Sequence, residues 1–256
     1  MMLLEVERLS LRFGGLEVIR DLSFAVPAGT IASFIGPNGA GKTSLFNLIT
    51  GFYRPTAGEI RFAGERITGL PPSAVARRGL ARTFQNIRLF KTLSVLENVL
   101  SALHPRTRSG VFAALFRTPG MRREEAWARE EARRALAFVG LQDVADRPAG
   151  ALPYGHRRLL EIARAIALQP KLLLLDEPAA GLNPAEKAAL ADLIRRIRDE
   201  LEIGVILIEH DMRLVANVSE HVVALSYGEK IAEGPPADVL RHPKVVEAYL
   251  GEEAVG

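Results

Sequence analysis

The 256-residue chain contains no cysteine, which removes disulfides, thiolate metal sites and cysteine nucleophiles together. It also lacks any uninterrupted apolar run approaching the roughly 20 residues a helix needs to cross a bilayer. The start, Met1-Met2-Leu3-Leu4-Glu5-Val6-Glu7-Arg8, has no basic segment ahead of an apolar stretch, so no secretory signal is read there and a cytoplasmic location is expected. Gly and Pro show no fixed period, so collagen-like and coiled-coil readings are poor, and internal repeats and low-complexity tracts are missing. An apolar fraction of 48% excludes disorder. Charge of one sign is in little excess: 33 Lys and Arg stand against 30 Asp and Glu, for a net +3 and a pI near 9.4. Such an excess fits a polyanionic ligand or an ordinary solvated surface, and does not decide the partner.

What is present is an alternation of short apolar runs and amphipathic helical segments, which argues for an α/β fold with a largely parallel sheet. Four runs read as buried strands: Ile31 to Ile35, Leu172 to Leu175, Val205 to Ile208 and Val222 to Leu225. Between the second and third, Leu190, Leu193, Ile194, Ile197 and Leu201 recur at three- and four-residue steps, with Lys187, Asp192, Arg195, Arg196 and Asp199 on the other face. That pattern predicts a surface helix packed on the sheet. From about Asn86 to Ala149 no strand is predicted. Helical stretches there are broken at His104-Pro105, Thr118-Pro119-Gly120 and Arg147-Pro148. Arg122 to Phe138 predicts a charged helix pairing Glu125 with Arg129 and Glu130 with Arg134. The region reads as a helical lobe inserted into an α/β core, and Pro235-Pro236 as a turn into a short terminal helix.

The sharpest local feature is Gly36-Pro37-Asn38-Gly39-Ala40-Gly41-Lys42-Thr43, a full match to G-x-x-x-x-G-K-[ST]. It follows the first strand and precedes the helical run from Ser44, the context this phosphate-binding motif requires. Glycines let successive N–H groups point at one anion, and the helix N-terminus adds a favourable dipole. Lys42 is then expected to reach the β- and γ-phosphates of a nucleotide, and the Thr43 hydroxyl to bind Mg²⁺. Downstream, Asp176 and Glu177 end a leucine strand. Alone they read equally well as an acidic turn. Beside a phosphate loop in a parallel sheet they are expected at the ligand edge, Asp176 holding the Mg²⁺ shell and Glu177 polarising water. His210 ends a third strand; a histidine there is either structural or placed to orient the water at the γ-phosphate. Gln85, at the junction with the lobe, is by itself compatible with an ordinary surface residue.

Taken in order, these elements resemble the ATP-binding-cassette (ABC) ATPases over nearly the whole chain. The resemblance implies a P-loop NTPase core with an N-terminal antiparallel β portion and an inserted α-helical subdomain. The core would comprise residues 1–85 and 165–235, the helical subdomain 86–164 and a helical tail 236–256. In that family Phe13 would stack on adenine, Gln85 would touch Mg²⁺ and sense the membrane partner, and His210 would be the γ-phosphate switch. Gly181, Leu182 and Asn183 would lie at the interface of an ATPase dimer. Leu152-Pro153-Tyr154-Gly155-His156, followed by Arg157 to Ala165, takes the place of the signature that meets ATP held by the other subunit. Thr50 to Pro55, Arg82 to Phe90, Asp176 to Pro184, the segment from Gly110-Val111-Phe112 to Thr118-Pro119 and Ala248-Tyr249-Leu250-Gly251 are similar to the LivG-type subgroup. That subgroup comprises the ATP-binding subunits of branched-chain amino acid importers.

The resemblance implies ATP and Mg²⁺ as cofactors and a place at the cytoplasmic face of the inner membrane. Its partners would be a second ATPase subunit, two membrane permease subunits and, indirectly, a periplasmic solute-binding protein. Cassette proteins acting on nucleic acid usually carry tandem cassettes, a zinc module or a coiled-coil insertion. None is seen here, so no nucleic-acid partner is expected; a lipid-exporter ATPase is the rival inside the family. One departure stands out. Pro153 replaces the signature serine and removes both a hydroxyl and an N–H, which predicts an asymmetric pair with a second cassette of complete signature. A proline is tolerated in the first turn of the helix expected to follow.

Overall fold

A computed structural model describes residues 1–103 and 119–253, with the backbone alone for 119, 121 and 251–253. The predicted break at His104-Pro105 and the segment from Gly110 to Thr118 lie outside the described residues. The chain divides into two compact units, one formed by Met1–Arg82 with the part from Lys171 onward, the other by Thr83–Pro170.

The first unit holds two sheets. Strands β1 (Met2–Phe13), β2 (Leu16–Pro27), β4 (Ala57–Phe62) and β5 (Glu65–Arg66) form an antiparallel sheet in the order β2-β1-β4-β5. Along β1 the buried residues are Leu3, Leu4 and Val6, then Leu9 and Leu11, with Leu4 and Val6 on one parity and Leu9 and Leu11 on the other. The change of parity falls on an irregularity in pairing with β2, where Arg8 takes a φ of 45°. An extra residue there turns the next apolar side chains back to the core face. The second sheet runs β10-β9-β3-β8-β7-β6, from strands β3 (Ile31–Ile35), β6 (Leu80–Arg82), β7 (Leu172–Asp176), β8 (Gly204–Ile208), β9 (His221–Ser226) and β10 (Glu229–Gly234). All pairs in it are parallel except β9 with β10. Every residue of β3, β7 and β8 is buried, which is why these strands read as unbroken apolar runs.

One apolar cluster joins Leu4, Ile19 and Ile60 of the first sheet to Phe34, Leu174 and Ile206 of the second through Leu45, Phe46 and Ile49 of the Lys42–Ile49 helix. The core therefore seats the helix that begins at the phosphate loop. The Pro184–Leu201 helix buries Leu190, Leu193, Ile194 and Ile197 as its periodicity predicts. Leu201 departs from that expectation and is exposed, because it is the last helical residue and the chain turns away through Glu202, left-handed at φ 56°. Past β10, the helices Pro236–Val239 and Pro243–Glu253 follow the predicted Pro235-Pro236 turn.

The second unit contains the helices Val95–Leu103, Pro119–Phe138 and Tyr154–Ile166; among its described residues the only β pairing is the isolated bridge Ser94 to Pro148. In the Pro119–Phe138 helix, Ala128, Ala132, Ala135 and Leu136 are buried at helical spacing. Its predicted pairs form on the exposed face, Arg129 to Glu125 at 3.1 Å and Arg134 to Glu130 at 3.3 Å. At about 0.2–0.5 kcal/mol each they support a solvated helix and not a site.

Candidate active site

Residues 36–41 leave β3 and curl into the Lys42–Ile49 helix. The curl demands glycine at two points. At Gly36, with φ 149°, an added Cβ would stand 2.2 Å from the Leu225 carbonyl oxygen. At Gly41, with φ 101°, it would meet Ile19 Cδ1 at 2.8 Å and the Val18 carbonyl oxygen at 2.9 Å. No side chain caps the helix at Gly41, and the amides of its first turn lie ahead of the helix's own hydrogen-bond ladder. That is the local structure that receives an anion. Lys42 is buried, and its ammonium donates to the carbonyls of Gly36 at 2.6 Å and Pro37 at 2.9 Å. Loop and lysine are thus folded on one another, with the positive charge held at the mouth of the amide cradle. Thr43 and Ser44 follow in the first helical turn.

Parallel register brings the other elements to the same edge. Phe34 of β3 pairs with Ile208 of β8, and Ile208 with Asp176 of β7, so the three strands end level and the residues just beyond share one rim. Asp176 is buried, and Arg82 Nη2 donates to its Oδ2 at 2.7 Å. Arg82 also donates to Asn47 Oδ1 at 2.7 Å and lies over the Phe46 ring, which ties the carboxylate to the helix after the phosphate loop. Glu177, a non-glycine residue at φ 48°, donates its amide to the Ile208 carbonyl at 2.9 Å. Such a conformation costs on the order of 1–3 kcal/mol and is met most often at functional sites. Here it accompanies a contact of Glu177 Oε1 with His210 Nε2 at 3.2 Å. The two residues expected to handle water are therefore neighbours.

Among the described residues no three His, Asp or Glu side chains gather as a metal site. A hard cation would draw on the Thr43 hydroxyl, the Asp176 carboxylate and oxygens of its own ligand, the mode Mg²⁺ takes with phosphates, so the donor chemistry fits that ion. Asn183 caps the Pro184–Leu201 helix: its Oδ1 accepts from Glu186 N at 2.9 Å while Glu186 Oε2 accepts from Asn183 N at 2.9 Å. Gly181, at φ 75°, and Leu182 lead into that cap. Phe13 ends β1 with about half its surface exposed and meets Tyr53 edge to face, ring centroids 5.2 Å apart.

In the second unit, the signature segment opens the Tyr154–Ile166 helix. Pro153 is its N-cap, at φ −55° and ψ 157°, with no capping hydrogen bond from a side chain. This corrects the expectation of a first-turn proline. The extended ψ required of a cap is open to proline, and the ring leaves the cap without an acceptor. Leu152 is buried, its carbonyl accepting from Arg157 Nε at 3.0 Å; Gly155 is buried, and Tyr154 and His156 are exposed. Gln85 is exposed, and its backbone is held by a buried pair: Arg158 donates to the carbonyls of Phe84 at 3.0 Å and Gln85 at 3.1 Å and to Glu161 at 2.9 Å. Burial pushes the Glu161 carboxyl up, against the Phe84 amide and Arg158, which favour its charged form.

Two residues of the rim escape a reading by motif. Arg82 lies 94 positions from Asp176. Glu209, buried between the segments that carry Glu177 and His210, accepts from Ala179 N at 2.8 Å and His210 N at 3.1 Å. The one local signal for Glu209 is a carboxylate at the end of a buried strand.

Residues 19–180 match the ABC transporter family, and residues 229–255 match the branched-chain amino acid ATP-binding cassette transporter family. The chain is 49% identical over 250 residues to the high-affinity branched-chain amino acid transport ATP-binding protein BraF of Pseudomonas aeruginosa, covering 98% of each. It is 44% identical over 250 residues to LivG of Escherichia coli K12, a protein of the same description, again covering 98% of each. Among solved structures it resembles the ADP conformation of MJ1267, an ATP-binding cassette of an ABC transporter, with TM-score 0.85, 32% identity and coverage of 98% and 99%. Since likeness of this depth spans both the phosphate-loop core and the tail, the chain belongs to the ABC transporter family, among the ATP-binding subunits whose ATPase activity is coupled to transport.

Proposed function

We propose that the chain drives an importer of branched-chain amino acids, or of closely related amino acids and amides, from the cytoplasmic face of the inner membrane. Its partners in this reading are a second ATPase subunit, two permease subunits and, indirectly, a periplasmic solute-binding protein. The observation that carries it is the match of residues 229–255 to the branched-chain subgroup, in a chain whose relatives bear that description over their full length. No observation favours the lipid-exporter or nucleic-acid readings.

In the proposed cycle, residues 36–44 hold the triphosphate, Lys42 leaving the loop carbonyls for the β- and γ-phosphates, and Phe13 stacks on adenine. Mg²⁺, held by Thr43, Asp176 and Gln85 together with phosphate oxygens, would neutralise charge on the phosphates. Glu177 accepts the proton of the attacking water as its oxygen bonds to the γ-phosphorus and ADP leaves. His210, 3.2 Å from that carboxylate, fixes its direction. The signature segment and Gly181 to Asn183 serve the second subunit, and binding energy from closure passes through Gln85 to the permeases.

Two measurements test this. In the assembled complex, Glu177→Gln should keep ATP binding and lower turnover about 100- to 10,000-fold, the range of a general base. Full turnover would remove Glu177 from the role. Deletion of the gene from its host should abolish high-affinity uptake of labelled leucine, isoleucine and valine, and unchanged uptake of all three would refute the solute.

A further inference from the structure

The C-terminal helix Pro243–Glu253 reaches the phosphate loop. Val245, buried, and Tyr249, one turn later on the same face, pack on a cluster containing Ile35 of β3, Val222 and Ala224 of β9 and Val239. From there the Tyr249 hydroxyl oxygen accepts the Gly36 amide N–H at 2.7 Å. Gly36 is the residue where β3 becomes loop, and it is confined on every side. The Leu225 carbonyl closes the space a side chain would fill, and Lys42 donates to the Gly36 carbonyl at 2.6 Å. Tyr249 thus holds the amide of the residue whose carbonyl holds the lysine.

We propose that Tyr249 is a positioning residue for the phosphate loop, by which the C-terminal helix sets the conformation of Gly36 and thereby the readiness of Lys42 to meet a nucleotide. The proposal rests on the reading of residues 36–44 as the ATP site. When Lys42 swings to the phosphates, the Gly36 carbonyl loses its ammonium bond, and the tyrosine bond to the amide on the other side of the same Cα is what still anchors the residue. Without that bond the loop samples other peptide orientations, and the ordering cost falls on nucleotide binding.

The test uses the full chain and titration with the fluorescent nucleotide mant-ATP in Mg²⁺. Tyr249→Phe keeps the ring in the cluster and removes only the hydroxyl that accepts from Gly36. It should raise Kd about three- to tenfold, the worth of one hydrogen bond, and should speed hydrogen exchange at the Gly36 amide. Val245→Ala is the packing control: it should lower the melting temperature more than Tyr249→Phe does, with Kd close to wild type. Lys42→Ala tests the underlying site. If it binds mant-ATP as wild type does, the ATP-site reading falls. If Lys42→Ala loses binding while Tyr249→Phe keeps wild-type Kd or wild-type exchange at Gly36, the role of Tyr249 falls and the ATP site stands. A Kd that rises equally in Val245→Ala and Tyr249→Phe likewise overturns it, since the helix would then act through packing alone.

Discussion

Replacing Glu209 by alanine removes one acceptor from several backbone amides at once, where the two turns that carry Glu177 and His210 meet. The bonds from Ala179 N at 2.8 Å and His210 N at 3.1 Å go to a carboxylate, and such bonds are worth about 1.5–3 kcal/mol each. The one from Asp211 N, at 3.4 Å, is long and adds little. Against them stands the cost of burying the charge, for only 3% of Glu209 is exposed. Desolvation dominates, pushing its carboxyl above the ordinary 4.5 although all three amides and their geometry favour the anion. Two good bonds less the relief of that burial leave a net loss of about 2–4 kcal/mol for Glu209→Ala. At about 2–4 °C per kcal/mol, the melting temperature should fall by roughly 5–15 °C, and turnover in the assembled complex should fall with it as the Glu177–His210 pair loses its support. Thermal unfolding followed by circular dichroism at neutral pH is the assay. The pH dependence follows from the same group. The folded protein holds this proton more tightly than the unfolded chain, so the associated stability is complete below pH 4.5 and is lost as pH rises through the elevated folded value. Relative to Glu209→Gln, which does not titrate, the wild type should therefore lose stability as pH rises from 4.5. A melting temperature for Glu209→Ala within about 2 °C of wild type would refute the reasoning, because one buried and one partly buried amide would have lost that acceptor at no cost.

The remaining predictions concern other parts of the machinery. Arg82→Ala removes the guanidinium from a pair whose side chains are 6% and 2% exposed, and should cost about 3–5 kcal/mol, read as a drop in the urea midpoint. An unchanged midpoint would mean the pair is not holding Asp176. Gly36→Ala should lose mant-ATP binding and destabilise the chain, since its Cβ would fall 2.2 Å from the Leu225 carbonyl oxygen; wild-type binding would show that the loop is not confined there. Pro153→Ser should supply the missing cap, worth about 1 kcal/mol, and raise turnover at the composite site this subunit serves. A higher melting temperature with unchanged turnover would confirm the cap and dismiss the asymmetric pair.

Much of this protein is determined by local sequence. Ile31 to Ile35 and Leu172 to Leu175 are buried on both faces of a parallel sheet, so their apolar character is continuous and visible without a fold. The glycines at 36 and 41 announce a loop that no other residue could close, and the spacing of Leu190, Leu193, Ile194 and Ile197 marks a helix with one buried face. These features depend on neighbours a few residues apart, where backbone sterics and helical period act directly. Tertiary structure alone decided the rest. Arg82 meets Asp176 across 94 positions, Glu209 meets the Ala179 amide across 30, and Tyr249 meets Gly36 across 213. None of these pairs has a spacing that a periodic pattern could register. The first two are fixed by strand order and by level strand ends, which bring side chains of unrelated position to one rim, and the third by the packing of the C-terminal helix on β3 and β9. Leu201 marks the same boundary from the other side: its place in the helical period was right, and its exposure came from where the helix stopped.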